Sequence, residues 1–231
     1  MIIGLNNGGF YRLEYDRLSD QVINEIINNE VTAIEFVCYD IKMLDDLLIF
    51  DLPDNSFKFI SLHTPSSEYK DNSKTRNILN KVSAINERFN LNNVIIHSDE
   101  IKDLAVFDSF NNLPFSIENS NNMKKFGRTA YDIKSILDNS ILNLTLDVQH
   151  CYVNDPTMFL ANNFYKEFKD KIVEFHISGY DKEFNHYPLF KTKQNIIIDF
   201  IKDKDVPIIL ESTYDSLAEA KIEINYIKNN L

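Results

Sequence analysis

Cysteine is nearly missing from this chain: Cys38 and Cys151 are the only two in 231 residues. Two thiols make no disulfide framework, so a reducing, cytoplasmic setting is expected. Arginine is scarce as well, confined to Arg12, Arg17, Arg76, Arg88 and Arg128. Because arginine is the preferred bidentate phosphate ligand, this argues against a phosphorylated substrate, with Lys191 and Lys193 as the remaining cations near the C-terminal motifs. No apolar run approaches the roughly 20 residues that span a bilayer. The opening Met1-Ile2-Ile3-Gly4-Leu5 lacks the charged start and long apolar middle of a signal peptide. Five glycines and six prolines are scattered, with no linker, so one domain over residues 1–231 is expected. No G-x-G-x-x-G follows the first apolar run, which weakens a dinucleotide-binding reading. Positive charge is in deficit too. A formal net charge of -11 and a pI near 4.9 repel phosphate backbones at long range, so neither nucleic acid nor a membrane is the expected partner.

What is present is a repeat of short apolar runs separated by amphipathic stretches. The runs are Ile2-Leu5, Ala33-Val37, Phe59-Leu62, Val94-Ile96, Phe115-Ile117, Leu142-Leu146, Ile172-Phe175 and Ile208-Leu210. Each has the length and two-sided apolar character of a parallel strand covered on both faces. Between them, apolar residues recur at helical spacing: Val22, Ile23, Ile26 and Ile27 behind Ser19; Ile78, Leu79, Val82, Ile85 and Phe89 behind Asn72; then Tyr131, Ile133, Ile136 and Leu137; Phe159, Phe164 and Phe168; Ile196, Ile197, Phe200 and Ile201; and Leu217, Ala220, Ile222 and Tyr226. Eight such units in 231 residues predict a (β/α)8 TIM barrel with a parallel eight-stranded sheet.

In that fold the chemistry sits at the C-terminal ends of the strands. There the sequence reads "SLHTP" (His63), "VIIHSDE" (His97), "SIENSNN" (Glu118), "LDVQH" (Asp147, His150), "EFHISGYD" (His176), "HYPL" (His186) and "ILES" (Glu211). All five histidines belong to this set, at strand ends or in the loops just beyond, and none is expected on a helix. Any one of these residues alone passes as a helix cap, a core histidine or a surface charge. Together, Glu118, Asp147, His176 and Glu211 converging on one barrel mouth suit a divalent cation with nitrogen and oxygen ligands. Without a cation the same groups would carry a large desolvation and repulsion cost.

The order and spacing of these motifs resemble the xylose isomerase-like TIM-barrel superfamily of sugar isomerases, epimerases and endonuclease IV, over about Ile2 to Glu211. The resemblance implies that Glu118, Asp147, His176 and Glu211 hold one zinc or manganese ion. It implies that Glu118 and Glu211 form an acid/base pair moving a proton beside a carbonyl through a metal-stabilised enediolate. His63, His97, His150 and His186 are then contacts to a sugar, polyol or keto-sugar. The endonuclease IV branch implies instead up to three zinc ions, with those four histidines as additional ligands, and abasic DNA as substrate. That branch carries an aspartate two residues before its last histidine, where this chain has Phe184. The loops "CYDIKMLDD" and "HTPSSEYKD" are acidic or neutral rather than cationic; Tyr69 would offer a ring to stack on a base, though an isolated surface tyrosine more often has no such role. A non-catalytic metal-binding barrel is a third reading, disfavoured because both bridging glutamates are kept. A homo-oligomer is compatible with all three.

Overall fold

The computed structural model describes residues 1–14, 16–29, 31–53, 56–182 and 186–231. Eight parallel strands close on themselves in chain order: β1 (Ile3–Asn6), β2 (Ala33–Val37), β3 (Phe59–His63), β4 (Asn93–His97), β5 (Phe115–Glu118), β6 (Asn143–Asp147), β7 (Ile172–Ile177) and β8 (Ile208–Leu210). Pairing of Ile3–Leu5 with Ile208–Leu210 shuts the barrel. The predicted fold is therefore the fold found, and its strand ends lie within two residues of those read from the apolar runs.

Helices cover the outside: α1 (Asp20–Asn28), α2 (Ile41–Ile49), α3 (Ser73–Phe89), α4 (Ala130–Leu137), α5 (Val148–Asn154), α6 (Phe159–Phe168), α7 (Leu189–Thr192), α8 (Asn195–Ile201) and α9 (Leu217–Asn230). Between β4 and β5 the chain makes only 3-10 turns, at Ser98–Glu100 and Leu104–Phe110. Polar side chains start several of these helices. Ser19 accepts from the Val22 amide, Asn72 from Thr75, and Thr129 and Asp132 form a reciprocal capping box on α4. No helix among the described residues is long and apolar enough to cross a membrane.

Four local readings need correction. "CYDIKMLDD" is not a loop: Asp40 caps α2, and Leu44 and Leu47 bury its inner face beneath a polar exterior. His150 lies in the first turn of α5, because Asp147 ends β6 and caps a helix at once. Tyr69 is fully buried and donates to the Pro65 carbonyl at 2.8 Å, so it offers no ring to a ligand outside. On α9 the inward face is Ala220, Ile224 and Ile227, while Ile222 points to solvent, one position out of phase with that stripe. Tyr131, Phe159 and Ile196 open their helices and are likewise exposed.

The barrel lumen differs from the usual filling of branched aliphatics. Across it Ser61 donates to Glu174 Oε1 (2.8 Å), Asn93 Nδ2 to Glu174 Oε2 (2.5 Å) and to Thr145 Oγ1 (2.8 Å), and the Ser116 and Thr145 hydroxyls pair at 2.7 Å. This buried polar layer forms the floor of the site.

Candidate metal centre

The strand ends bring the predicted set together. One ligand atom from each of Glu118, Asp147, His176 and Glu211 falls within 4.8 Å of the others. Alternation along the strands explains it: residues two apart point to one face, so the last inward position of β5, β6 and β7, and the residue after β8, share one end of the lumen. Glu118 and Glu211 of this set line a cavity of about 420 Å³, together with Asn6, Tyr11, Tyr39, His63, His97, His150, Met123, Lys124 and His186.

Glu118 is the hub. Its Oε1 lies 3.0 Å from His176 Nδ1, and its Oε2 lies 3.0 Å from His97 Nδ1 and 3.3 Å from His63 Nε2. Burial pushes this carboxyl up, but the His97 charge and the hydrogen bonds from the three imidazoles outweigh burial and hold it well below the ordinary value. Glu211 Oε1 faces His176 Nδ1 at 3.3 Å and Asn6 Nδ2 at 3.4 Å. Burial opposes its ionisation too, yet His176 and His186 bring it down to about 2. Asn6 is held for this contact by the turn that follows β1, where its Oδ1 accepts from the Gly9 amide at 2.7 Å. A Cβ at Gly9 would stand 2.3 Å from the Ser212 carbonyl oxygen, so only glycine lets the turn after β1 come this close to the chain beyond β8.

Asp147 behaves oppositely. It is fully buried, and burial with repulsion from Glu211 and Glu118 pushes its carboxyl well above the ordinary value. Its Oδ1 caps α5 through the His150 amide (2.9 Å), while its Oδ2 has no aligned hydrogen bond and lies 3.2 Å from His150 Nδ1. Asn119 brackets the same residue, accepting from the Asp147 amide (2.7 Å) and donating to its carbonyl (2.9 Å). An orphaned carboxylate oxygen beside two further carboxylates and an imidazole is a donor set that fits a divalent cation.

The other four histidines split into two pairs. His63 and His97 have ring centroids 4.7 Å apart, and with Glu118 they form a second group of donor atoms within 4.8 Å. Burial lowers the affinity of His63 for its proton, but Glu118 overrides it and raises the imidazole to about 9. His150 and His186 meet edge to face at 5.8 Å on the other side. His150 Nδ1 lies 2.8 Å from the Asn119 carbonyl, which only accepts, so the ring proton sits on Nδ1 and Nε2 carries the lone pair. Burial makes its second protonation harder. His186 Nδ1 contacts Ser178 Oγ at 3.1 Å and approaches Glu211 Oε2 at 3.7 Å. Lys191, a candidate anion ligand from the sequence, instead pairs with Asp215 (3.2 Å) and Glu219 (2.6 Å). Lys193 lies over the Tyr226 ring. Phe184 falls outside the described residues.

Two further buried carboxylates lie outside the ligand set expected from the sequence. Glu35 on β2 and Glu174 on β7 lie beneath His176, 2.9 Å and 3.6 Å from its Nε2. Each sits inside an apolar run. For Glu174 the available signal was its parity with His176, two residues on.

No protein-family model and no curated protein sequence matches the chain. Solved structures do. The probable 3-DHS dehydratase of petrobactin synthesis from Bacillus anthracis superposes with a TM-score of 0.67 at 17% identity, covering 99% of both chains. An L-ribulose 3-epimerase gives 0.71 at 14% identity, over 100% of this chain and 95% of the other. An AP endonuclease of family 2 from Brucella melitensis gives 0.66 at 8% identity over 96% of each. These likenesses show that the chain shares its (β/α)8 barrel fold with these proteins; at such identities they carry no reaction with them.

Proposed function

We propose that this chain is a divalent-cation-dependent isomerase or epimerase of a small polyhydroxylated carbonyl compound: a sugar, polyol or keto-sugar. The observation that carries this reading is the convergence of Glu118, Asp147, His176 and Glu211 within 4.8 Å, beside a cavity of about 420 Å³ that Glu118 and Glu211 line. Zinc or manganese suits the three carboxylates and one imidazole. A cation held there supplies Lewis acidity, polarising a substrate carbonyl and acidifying the neighbouring C–H. Glu211, on the cavity wall, removes that proton as base. Glu118 donates a proton as acid and is recharged through His63 and His97, 3.3 and 3.0 Å from its Oε2. His150 Nε2 accepts from a substrate hydroxyl, since its Nδ1 proton is committed to Asn119. His186 approaches from the facing loop. The net charge of -11 favours a neutral ligand over a polyanion. Both cysteines are free and buried, in keeping with a reducing cytoplasm.

The test combines elemental analysis of the purified protein with solvent deuterium exchange into a panel of ketopentoses and ketohexoses. About one cation per chain is expected, with deuterium entering the carbon next to the carbonyl. Glu211→Gln should keep a folded, cation-binding protein and abolish the exchange. No bound cation, or undiminished exchange in that variant, refutes the reading.

One observation favours the endonuclease-type reading: the second donor group of His63, His97 and Glu118. His63 Nδ1 faces the Thr64 carbonyl at 3.2 Å, so in the neutral ring Nε2 turns a lone pair toward Glu118, as a ligand to a second cation would. Against it, Arg12, Lys124 and Lys191 at the barrel mouth are paired with carboxylates. Close to three zinc ions per chain and nicking of abasic duplex DNA would establish that reading over the first.

A further inference from the structure

We infer that Glu35 is a positioning residue: from the floor of the barrel it holds the His176 ring with Nε2 protonated, so that Nδ1 presents its lone pair to the cation site. The inference rests on the cation-dependent reading above and adds a residue to it.

β2 pairs with β1 and β3, and β7 with β6 and β8, so Glu35 and His176 meet across the lumen rather than along a ladder. Both are fully buried. A carboxylate deep in a barrel core is costly unless something there needs its charge. The two carboxylates of the floor differ in this respect. Glu174 is satisfied, since Ser61 and Asn93 each donate to one of its oxygens. Glu35 is not: neither of its oxygens has an aligned hydrogen bond, and neither does His176 Nε2. Yet Glu35 Oε2 and His176 Nε2 stand 2.9 Å apart. Three orphaned atoms in one buried spot leave each other as partners, and a small rotation of the ring brings the N–H into line with the carboxylate.

The other edge of the ring decides what this accomplishes. His176 Nδ1 faces Glu118 Oε1 at 3.0 Å and Glu211 Oε1 at 3.3 Å, inside the proposed ligand set. A ring that binds a cation through Nδ1 must carry its proton on Nε2, and an acceptor below fixes both that tautomer and the ring orientation. Glu174, at 3.6 Å and already bonded twice, is placed to support this and not to replace it.

The experiment titrates cation-stripped, full-length protein with Zn²⁺ and with Mn²⁺ by calorimetry, for the wild type, Glu35→Leu and Glu35→Gln. Long-range ¹H–¹⁵N spectra of the histidine rings are recorded on the Zn²⁺-loaded forms. Glu35→Leu should bind about 10- to 100-fold more weakly, and Glu35→Gln, which keeps an acceptor oxygen, should recover most of the loss. The wild-type His176 ring should be protonated at Nε2 with a low-field proton signal. That signal should move upfield in Glu35→Gln, whose neutral oxygen is the weaker acceptor. An affinity for Glu35→Leu within about twofold of wild type, or an Nδ1-protonated His176 in the loaded wild type, overturns the inference while leaving the cation site standing. If Glu35→Leu does not fold, an unmoved ring proton in Glu35→Gln overturns it alone. A wild type that binds neither cation removes the site and this inference with it.

Discussion

Asp147→Asn separates stability from function at this site. In the native chain Asp147 Oδ1 caps α5 through the His150 amide, and Asn119 secures the adjoining main chain. Asparagine caps helices as well as aspartate does, so both features survive the change. What is lost is the ionisable group itself, whose charge burial and the neighbouring carboxylates oppose. Asp147, Glu118 and Glu211 present ligand atoms within 4.8 Å of one another, and at an effective dielectric of 20 two unit charges that far apart repel by about 3.5 kcal/mol. Asp147 therefore feels two such repulsions, and an imidazolium at His176 cancels about one of them. The net is on the order of 3 kcal/mol against the folded, cation-free state. An asparagine amide facing two carboxylates has acceptors for its protons, so the substitution should stabilise the stripped protein by about 1–3 kcal/mol. At 2–4 °C per kcal/mol for a chain of this size, that is a rise in Tm of roughly 2–12 °C. The cation-bound state responds in the other direction. Loss of one charged ligand should weaken Mn²⁺ at least about tenfold. Thermal melts with and without EDTA, together with Mn²⁺ titration, read both effects. A lowered Tm in the stripped variant, or an unchanged Mn²⁺ affinity, refutes the reasoning and returns Asp147 to being a helix cap only.

Two further outcomes are expected. The stripped protein should lose stability between pH 6.5 and 9. His63 has its pKa raised from 6.5 to about 9 by Glu118, so its contribution is fully present below pH 6.5 and lost as pH rises through 9, on the order of 3 kcal/mol in all; melting curves in EDTA that stay flat or rise over this range refute it. Tyr69→Phe should cost about 1–2 kcal/mol through the bond lost to Pro65, and Tyr69→Ala about 3–5 kcal/mol through the cavity left; urea denaturation measures both, and near-wild-type stability in the alanine variant would contradict the burial of that ring.

The strand ends were legible in the sequence because in this fold each apolar run stops where the chemistry starts. His63, His97, Glu118, Asp147, His176 and Glu211 each close such a run, and a closed barrel gathers them without further information. Glu35 and Glu174 were not legible as a pair. Each lies between apolar neighbours, and nothing local tells that β2 and β7 face each other across the lumen; closure of the barrel supplies that fact. Helix α2 was hidden for a related reason: only Leu44 and Leu47 are buried, a narrow stripe among apolar residues spread around the segment. Asp147 shows where the two kinds of information meet. Its sequence position, three residues before His150, is that of an ordinary N-cap, and its Oδ1 does cap α5. The same side chain leaves Oδ2 buried without an aligned hydrogen bond among three other donor groups. A bland reading of the aspartate and a functional one are therefore not alternatives. One oxygen answers to local backbone geometry, and the other is left for chemistry that only the assembled barrel defines.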